Sequence, residues 1–376
     1  MGSCRHRDLG QLRGTARIHR WQIIRREPHP RLYHRLRHSV QHHRAHRDHS
    51  LGSQARQIPS NCMTLRLAVD SAAWQSHVRR VADQVGEILP VVKGNGYGFG
   101  RTALMPHVAQ LAAHVAVGSV YELAEVPTTL RPFVLTPIGM AVDSSPRADA
   151  VLTVTNQHDL AHLTRLGAQH DVVVKVRSAM QRFGVDASEA NSLRSTAEGA
   201  GHRVVGWSVH PPLVGTDDDH ADEVALLAAS LSNDLPIFAS HIGAAAARLR
   251  TRIQHRVVVR TGTSLWLGDK SMVALHADVL AVRAVKAGSA AGYRGSRVDG
   301  DSHIVMVGCG SSHGVAALDD GRSPFHFAKQ RLAMLEAPHM HTTMLVTTNQ
   351  PCPRVGDWVD VQQPMTRVTP DVTVWS

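Results

Sequence analysis

The chain has 376 residues, 43% hydrophobic and only 4% aromatic, with a formal charge of +10 at pH 7. That length can bury a large core, and with no run of about 18 apolar residues a membrane-spanning helix is excluded. A soluble, cytoplasmic protein is expected. Cys4, Cys62, Cys309 and Cys352 share no CxxC spacing and the histidines form no HExxH, so neither a disulfide framework nor a metal site is expected.

Charge divides the chain in two. Residues 1–62 hold thirteen arginines, nine histidines and no lysine, against Asp8, Glu27 and Asp48 as the acids, and so carry the whole +10. This prefix lacks sustained helical or strand periodicity and is expected to be disordered. Its clustered arginine would suit a nucleic-acid arm, and its acid-poor texture is transit-like. Its abrupt end at Met63 equally fits an inert extension or a misplaced start. No fold module accompanies the arginines, so nucleic acid is not an expected partner.

From Met63 onwards, apolar runs alternate with amphipathic stretches. Strands are expected at Leu65 to Asp70, Ile88 to Val92, Val115 to Ser119, Arg131 to Thr136, Val151 to Val154, Val172 to Val176, Val204 to Val209, Ile237 to Ser240 and Val257 to Val259. Helices are expected at Ser71 to Val85 and Thr102 to Ala113, with more between the later strands. This repetition predicts a parallel (β/α)8 TIM barrel over residues 63–269. A doubly wound open sheet is the alternative, but no GxGxxG or Walker loop follows the first strand. From residue 270 to 376, short runs between Gly, Pro and Asp turns predict a small, mainly β domain.

The stretch VVKGNGYGFG, Val91 to Gly100, places Lys93 at the end of an apolar run and follows it with four glycines and Tyr97. A partly desolvated lysine becomes a usable nucleophile, while glycine amides and a phenol can hold a phosphate. The pattern suits pyridoxal 5'-phosphate, and it equally describes a lysine whose stem packs before an ordinary glycine turn. In a barrel the chemistry sits just beyond the strand ends. Those positions hold Lys93, then Lys175, Met180 and Arg182, then His210, then Ser240 and His241, then Arg260, Gly262 and Thr263. Several cations converging on one lysine call for an anionic ligand.

Four segments in the same order and spacing give the chain a wider resemblance. VVKGNGYGFG, KVRSAMQRFGV, VRTGTSLWLG and KAGSAAGYRG resemble the VVKANAYGHG, KVDTGMGRLGV, VRPGIALYG and KGESVSYG segments of the alanine racemase family, the barrel-type pyridoxal phosphate enzymes. The resemblance covers about residues 63–365. It implies that Lys93 holds the cofactor and acts as base on one face of the substrate. It further implies that Tyr97, Gly262 and Thr263 bind phosphate, that Arg260 faces the pyridine nitrogen, and that His210 lies against the cofactor. Arg182 would fix the substrate carboxylate. Tyr293, from a second subunit of a homodimer, would be the base on the opposite face, and Met340 would border the small amino-acid substrate.

The chain also departs from the family pattern. Arg177, Ser178 and Ala179 replace Asp-Thr-Gly, the HxxNSA loop is His241, Ile242, Gly243, Ala244 and Ala245, and His341 replaces an aspartate. The chain ends at Ser376, before the segment in which relatives supply a further tyrosine to the phosphate. Lys175, often carbamylated in relatives, is equally an unmodified lysine paired with a carboxylate. The leading functional expectation is two-base racemisation of alanine, supplying D-alanine for peptidoglycan precursors. A pyridoxal phosphate enzyme acting on another amino acid and a non-catalytic cofactor-binding homologue are the alternatives.

Overall fold

The structure, a computed structural model, describes residues 64–348 and 350–376. The basic prefix, with Cys4 and Cys62, lies outside the described residues. In chain order the first half contains β1 (Leu65–Val69), α1 (Ser71–Val85), β2 (Ile88–Pro90), α2 (Arg101–Ala109), β3 (His114–Val117), β4 (Arg131–Pro137), β5 (Val151–Val154) and α3 (Gln157–Arg165). Then follow β6 (Asp171–Lys175), α4 (Ala187–Gly199), β7 (Arg203–Val209), α5 (Asp217–Ala228), β8 (Ile237–Ser240), α6 (Ala246–Arg252), β9 (Val257–Thr261) and α7 (Thr263–Leu267). The remainder is β: β10 (Val273–Val285), β11 (Ala290–Ala291), β12 (Ser296–Arg297), β13 (Ser302–Val307), β14 (Phe325–Phe327), β15 (Gln330–Arg331), β16 (Ala333–Met334), β17 (Thr343–Thr347), β18 (Trp358–Val361) and β19 (Val372–Trp375).

Eight strands form one parallel sheet in the order β2-β9-β8-β7-β6-β5-β4-β3. A bridge between Val91 and Ala116, with Val92 N–H donating to Ala116 O at 2.7 Å, brings its two edges together. This is the expected (β/α)8 barrel. The strands read as continuous apolar runs because both faces are covered. Leu89, Val91, Ala116, Phe133, Val151, Val173 and Val258 form the inner cluster, while the alternating residues Val172, Val174, Val257 and Val259 belong to the larger core shared with the helices.

That alternation aims the chemistry. Side chains two residues apart share a face of a strand, so Lys175 follows Val173, Ser240 follows Phe238 and Arg260 follows Val258 into the barrel axis. Lys93 continues the same parity from Leu89 and Val91.

One expectation needs correcting. The strand at Leu65 was read as the first of the repeating βα series, but β1 pairs antiparallel with β10 and parallel with β19, so it belongs to the β domain. Its alternating burial suits a sheet covered on one face, whereas the barrel strands β5 and β9 are buried at every position. The nine-stranded sheet it joins runs β15-β14-β18-β10-β13-β17-β16, with the long β10 pairing with β1 and β18 over its first half and β13 over its second. Asn95 Nδ2 ties the glycine loop to this domain by donating to Met365 O at 2.8 Å and Val368 O at 2.5 Å.

Trp74 of α1 forms the main aromatic junction. Its ring lies 5.8 Å from Trp266, 5.6 Å from Phe99, 5.1 Å from Trp375 and 4.8 Å from His107, and its indole N–H donates to Trp266 O at 3.0 Å. Barrel helices, glycine loop and C-terminal strand thus share one buried side chain. Trp74→Ala is expected to lower unfolding stability by about 3–5 kcal/mol, measured by urea titration; a loss below about 1 kcal/mol would contradict this packing role.

Candidate active site

The loop after β2 winds through left-handed backbone at Gly94, Gly96, Gly98 and Gly100, and Tyr97 itself has φ 58°. A non-glycine residue pays about 1–2 kcal/mol for that conformation, and here it turns a buried phenol back toward the start of α7. Gly262 makes room for it: a Cβ there would collide with the Tyr97 hydroxyl. Burial first, then Glu122, raises the Tyr97 pKa, so the hydroxyl remains a protonated donor.

Arg260 is 5% exposed at the end of β9. Its guanidinium donates to Ser208 Oγ at 3.0 Å, Val209 O at 2.5 Å and Ser240 Oγ at 3.4 Å, while its buried Nε has no partner among the described residues. Desolvation, then Arg182, lowers its pKa to about 10, which leaves it charged at neutral pH. Lys175, 4% exposed, is lowered to about 6 by burial and then by Arg260, Arg182 and Lys93. Lys93 stays open to solvent, yet the surrounding protein, then Arg182 and Arg260, lowers its pKa against a smaller opposing effect of Glu122.

His210 follows β7. Its Nδ1 is hydrogen-bonded to Ser240 Oγ, and its ring lies 4.8 Å from that of His241. Desolvation, followed by Arg260, Lys175, His241 and Arg182, pushes its pKa down to about 2. It is therefore a neutral imidazole. Ser178 holds it from behind by donating to His210 O at 2.6 Å.

The structure thus brings Lys93, Lys175, Arg182, His210 and Arg260 within electrostatic reach of one another, and Tyr97 against Gly262, with Thr263 opening α7. The carboxylate partner considered for Lys175 is not among the charged groups that act on it. Tyr293 and Met340 are elsewhere, on the β domain, 88% and 67% exposed. Sequence reading passed over Glu122, which accepts from Gly94 N at 3.0 Å and Gly118 N at 2.6 Å and so pins the lysine loop to the end of β3. Its position just beyond a strand end was the available signal. It also passed over Asp217, whose carboxylate accepts from Ala244 N at 2.7 Å, in the loop that replaces HxxNSA.

A family model described as alanine racemase, N-terminal domain, matches residues 69–270. The chain belongs to the alanine racemase family. An alanine racemase of Alcanivorax borkumensis is 26% identical over 276 residues, 66% of this chain and 76% of that protein. In fold the chain resembles an alanine racemase of Bartonella henselae solved with covalently bound pyridoxal phosphate (TM-score 0.64, 17% identity, 83% of this chain and 99% of that one). It also resembles the biosynthetic alanine racemase of Pseudomonas aeruginosa (TM-score 0.61, 18% identity, 84% and 99%).

The depressed Lys175 pKa has a measurable consequence. Between about 6 and its ordinary 10.5, the unfolded lysine binds a proton that the folded one does not, so this residue makes stability rise with pH across that window and removes the gain as pH falls through 6. Lys175→Met is expected to flatten that slope in denaturant titrations of the cofactor-free protein. An unchanged slope would show that the amine is solvated in the folded state.

Proposed function

We propose that the chain is a pyridoxal phosphate-dependent racemase that interconverts L- and D-alanine with two bases, acting as a homodimer in the cytoplasm and supplying D-alanine for peptidoglycan precursors. The observation that carries this reading is Arg260, a buried guanidinium at a barrel strand end with an unpartnered Nε. The residues around it fit the cofactor. Arg260 would face its ring nitrogen, the Tyr97 hydroxyl and the amides of Gly262 and Thr263 would hold its phosphate, and the tight Gly262 approach keeps Tyr97 beside those amides.

Bound pyridoxal phosphate supplies an electron-withdrawing ring that acidifies the α-proton of an attached amino acid. Arg260 donates rather than accepts, so it would leave the ring nitrogen unprotonated and moderate that withdrawal, which would favour proton exchange over decarboxylation. The neutral His210 ring would pack against the cofactor without adding charge. Arg182 pairs with the substrate carboxylate. The lowered pKa of Lys93 gives it more free amine, first to hold the cofactor and then to move the α-proton on one face.

Tyr293 provides the phenol for the other face, from the second subunit, and Met340 borders the substrate. Their exposure supports this placement, as do Tyr121, on a short 3-10 turn after β3, and Leu213 and Val214, on the loop after β7, 75%, 83% and 86% exposed. Those apolar side chains suit burial against another copy. The Asp217 contact with Ala244 N and the missing loop hydroxyl support the non-catalytic alternative, because they remove donors from the phosphate.

Lys93→Ala is expected to abolish covalent, borohydride-reducible attachment of the cofactor; a surviving adduct would identify another lysine. Tyr293→Phe is expected to leave attachment intact and to slow deuterium exchange at the alanine α-carbon by ~10²- to 10⁴-fold for one enantiomer far more than the other. Equal slowing would remove Tyr293 as second base, and attachment without any exchange in the unmodified protein would establish the non-catalytic reading.

A further inference from the structure

A second polar assembly lies on the β domain, around one carboxylate. Glu336 sits between β16 and β17 with its side chain 5% exposed. Its Oε1 accepts from Tyr293 N at 2.9 Å, its Oε2 accepts from Arg294 N at 3.1 Å, and His339 Nε2 bonds to Oε1. Two successive backbone N–H groups aimed at one anion form a small concave binding site. Gly292 makes the approach possible, because its φ is +79° and a Cβ there would lie 2.5 Å from the Glu336 carboxyl carbon.

The hairpin held in this way has little to hold itself. Strands β11 and β12 have two residues each and among the described residues pair only with each other, with Gly288 N–H donating to Val298 O at 2.8 Å and Val298 N–H to Ser289 O at 2.9 Å just below them; an isolated two-stranded hairpin is marginal in water. Its base is fastened by Asp301, which accepts from Lys286 Nζ at 2.7 Å and Ala287 N at 3.0 Å. The tip depends on Glu336. The Tyr293 ring also rests on the His339 imidazole, with centroids 4.4 Å apart, and His339 N donates to Thr342 O at 2.9 Å. The His339 bond, then the Tyr293 N–H, lowers the Glu336 pKa, so the clamp is ionised at neutral pH.

We infer that Glu336 is a positioning residue for Tyr293, fixing the hairpin tip from beneath, with His339 bracing the ring, so that the exposed phenol is presented in one orientation. The inference rests on the reading of Tyr293 as second base. Displacing a catalytic group by about 1 Å can cost roughly 10²-fold in rate, which sets the scale expected for loss of the clamp.

Two readouts on the full chain test it. Amide hydrogen exchange at Tyr293 and Arg294 is expected to accelerate at least about tenfold in Glu336→Ala while barrel-strand amides stay unchanged. Deuterium exchange at the alanine α-carbon is expected to fall roughly 10- to 100-fold for the same enantiomer that Tyr293→Phe impairs, with cofactor attachment intact. Glu336→Gln, which keeps the shape and one acceptor, should fall between. Gly292→Ala attacks the contact from the other side and should reproduce the loss, which keeps the test available if Glu336→Ala fails to fold. Unchanged amide exchange, or an equal effect on both enantiomers, would overturn the clamp. If Tyr293→Phe is impaired selectively but the Glu336 and Gly292 variants are not, the clamp fails and the second-base reading survives; if Tyr293→Phe shows no selective effect, both fail.

Discussion

Burying a guanidinium with no carboxylate among the described residues to neutralise it is the constraint on which this molecule turns. Arg260 is held by two serine hydroxyls and a backbone carbonyl, and the charge that acts on it is a cation, Arg182, rather than an acid. Taking such a group out of water costs several kcal/mol unless something compensates it. Burial first, and then the surrounding cations, makes the neighbouring lysines give up protons more readily and keeps His210 neutral. One aromatic, anionic ligand would reverse the imbalance, satisfying the orphaned Nε and supplying the missing negative charge together.

The fold serves that arrangement by fastening loops. Helix α5 reaches three of them: Asp217 bonds Ala244 N, Glu223 bonds Ala179 N at 2.5 Å, and His220 bonds the carbonyls of His241 at 2.7 Å and Val214 at 3.0 Å. Glu122 fastens the lysine loop and Asn95 joins it to the C-terminal segment. Mouth loops without such ties would sample many geometries, whereas chemistry on an α-carbon needs groups held to fractions of an ångström.

The barrel was legible in the sequence because its strands are short apolar runs, and their parity places Lys175, Ser240 and Arg260 on the inner face. The decapeptide around Lys93 fits a cofactor lysine and an ordinary glycine turn equally well, and the four-segment resemblance is what singled it out; the structure sets it within electrostatic reach of Lys175, Arg182 and Arg260. β1 was misassigned because LRLAV is an apolar pentapeptide whose partners, β10 and β19, lie 200 or more residues away, and nothing local specifies them. Glu336 was invisible for the same reason: a carboxylate 43 positions from Tyr293 carries no local signature of the turn it will hold. The Gly292 that admits it reads as an ordinary turn residue.

A cationic barrel mouth built for pyridoxal phosphate must gain stability from that ligand, so unfolding measured with and without it decides the matter. With free ligand at about a hundredfold its dissociation constant, a native-state ligand adds about 2.7 kcal/mol to the free energy of unfolding. A stabilisation of that order is expected from pyridoxal phosphate, and much less from pyridoxal or inorganic phosphate alone, because neither would satisfy Arg260, Lys93 and the Tyr97–Gly262 cradle together. A denaturation midpoint that pyridoxal phosphate leaves unmoved at millimolar concentration would contradict it.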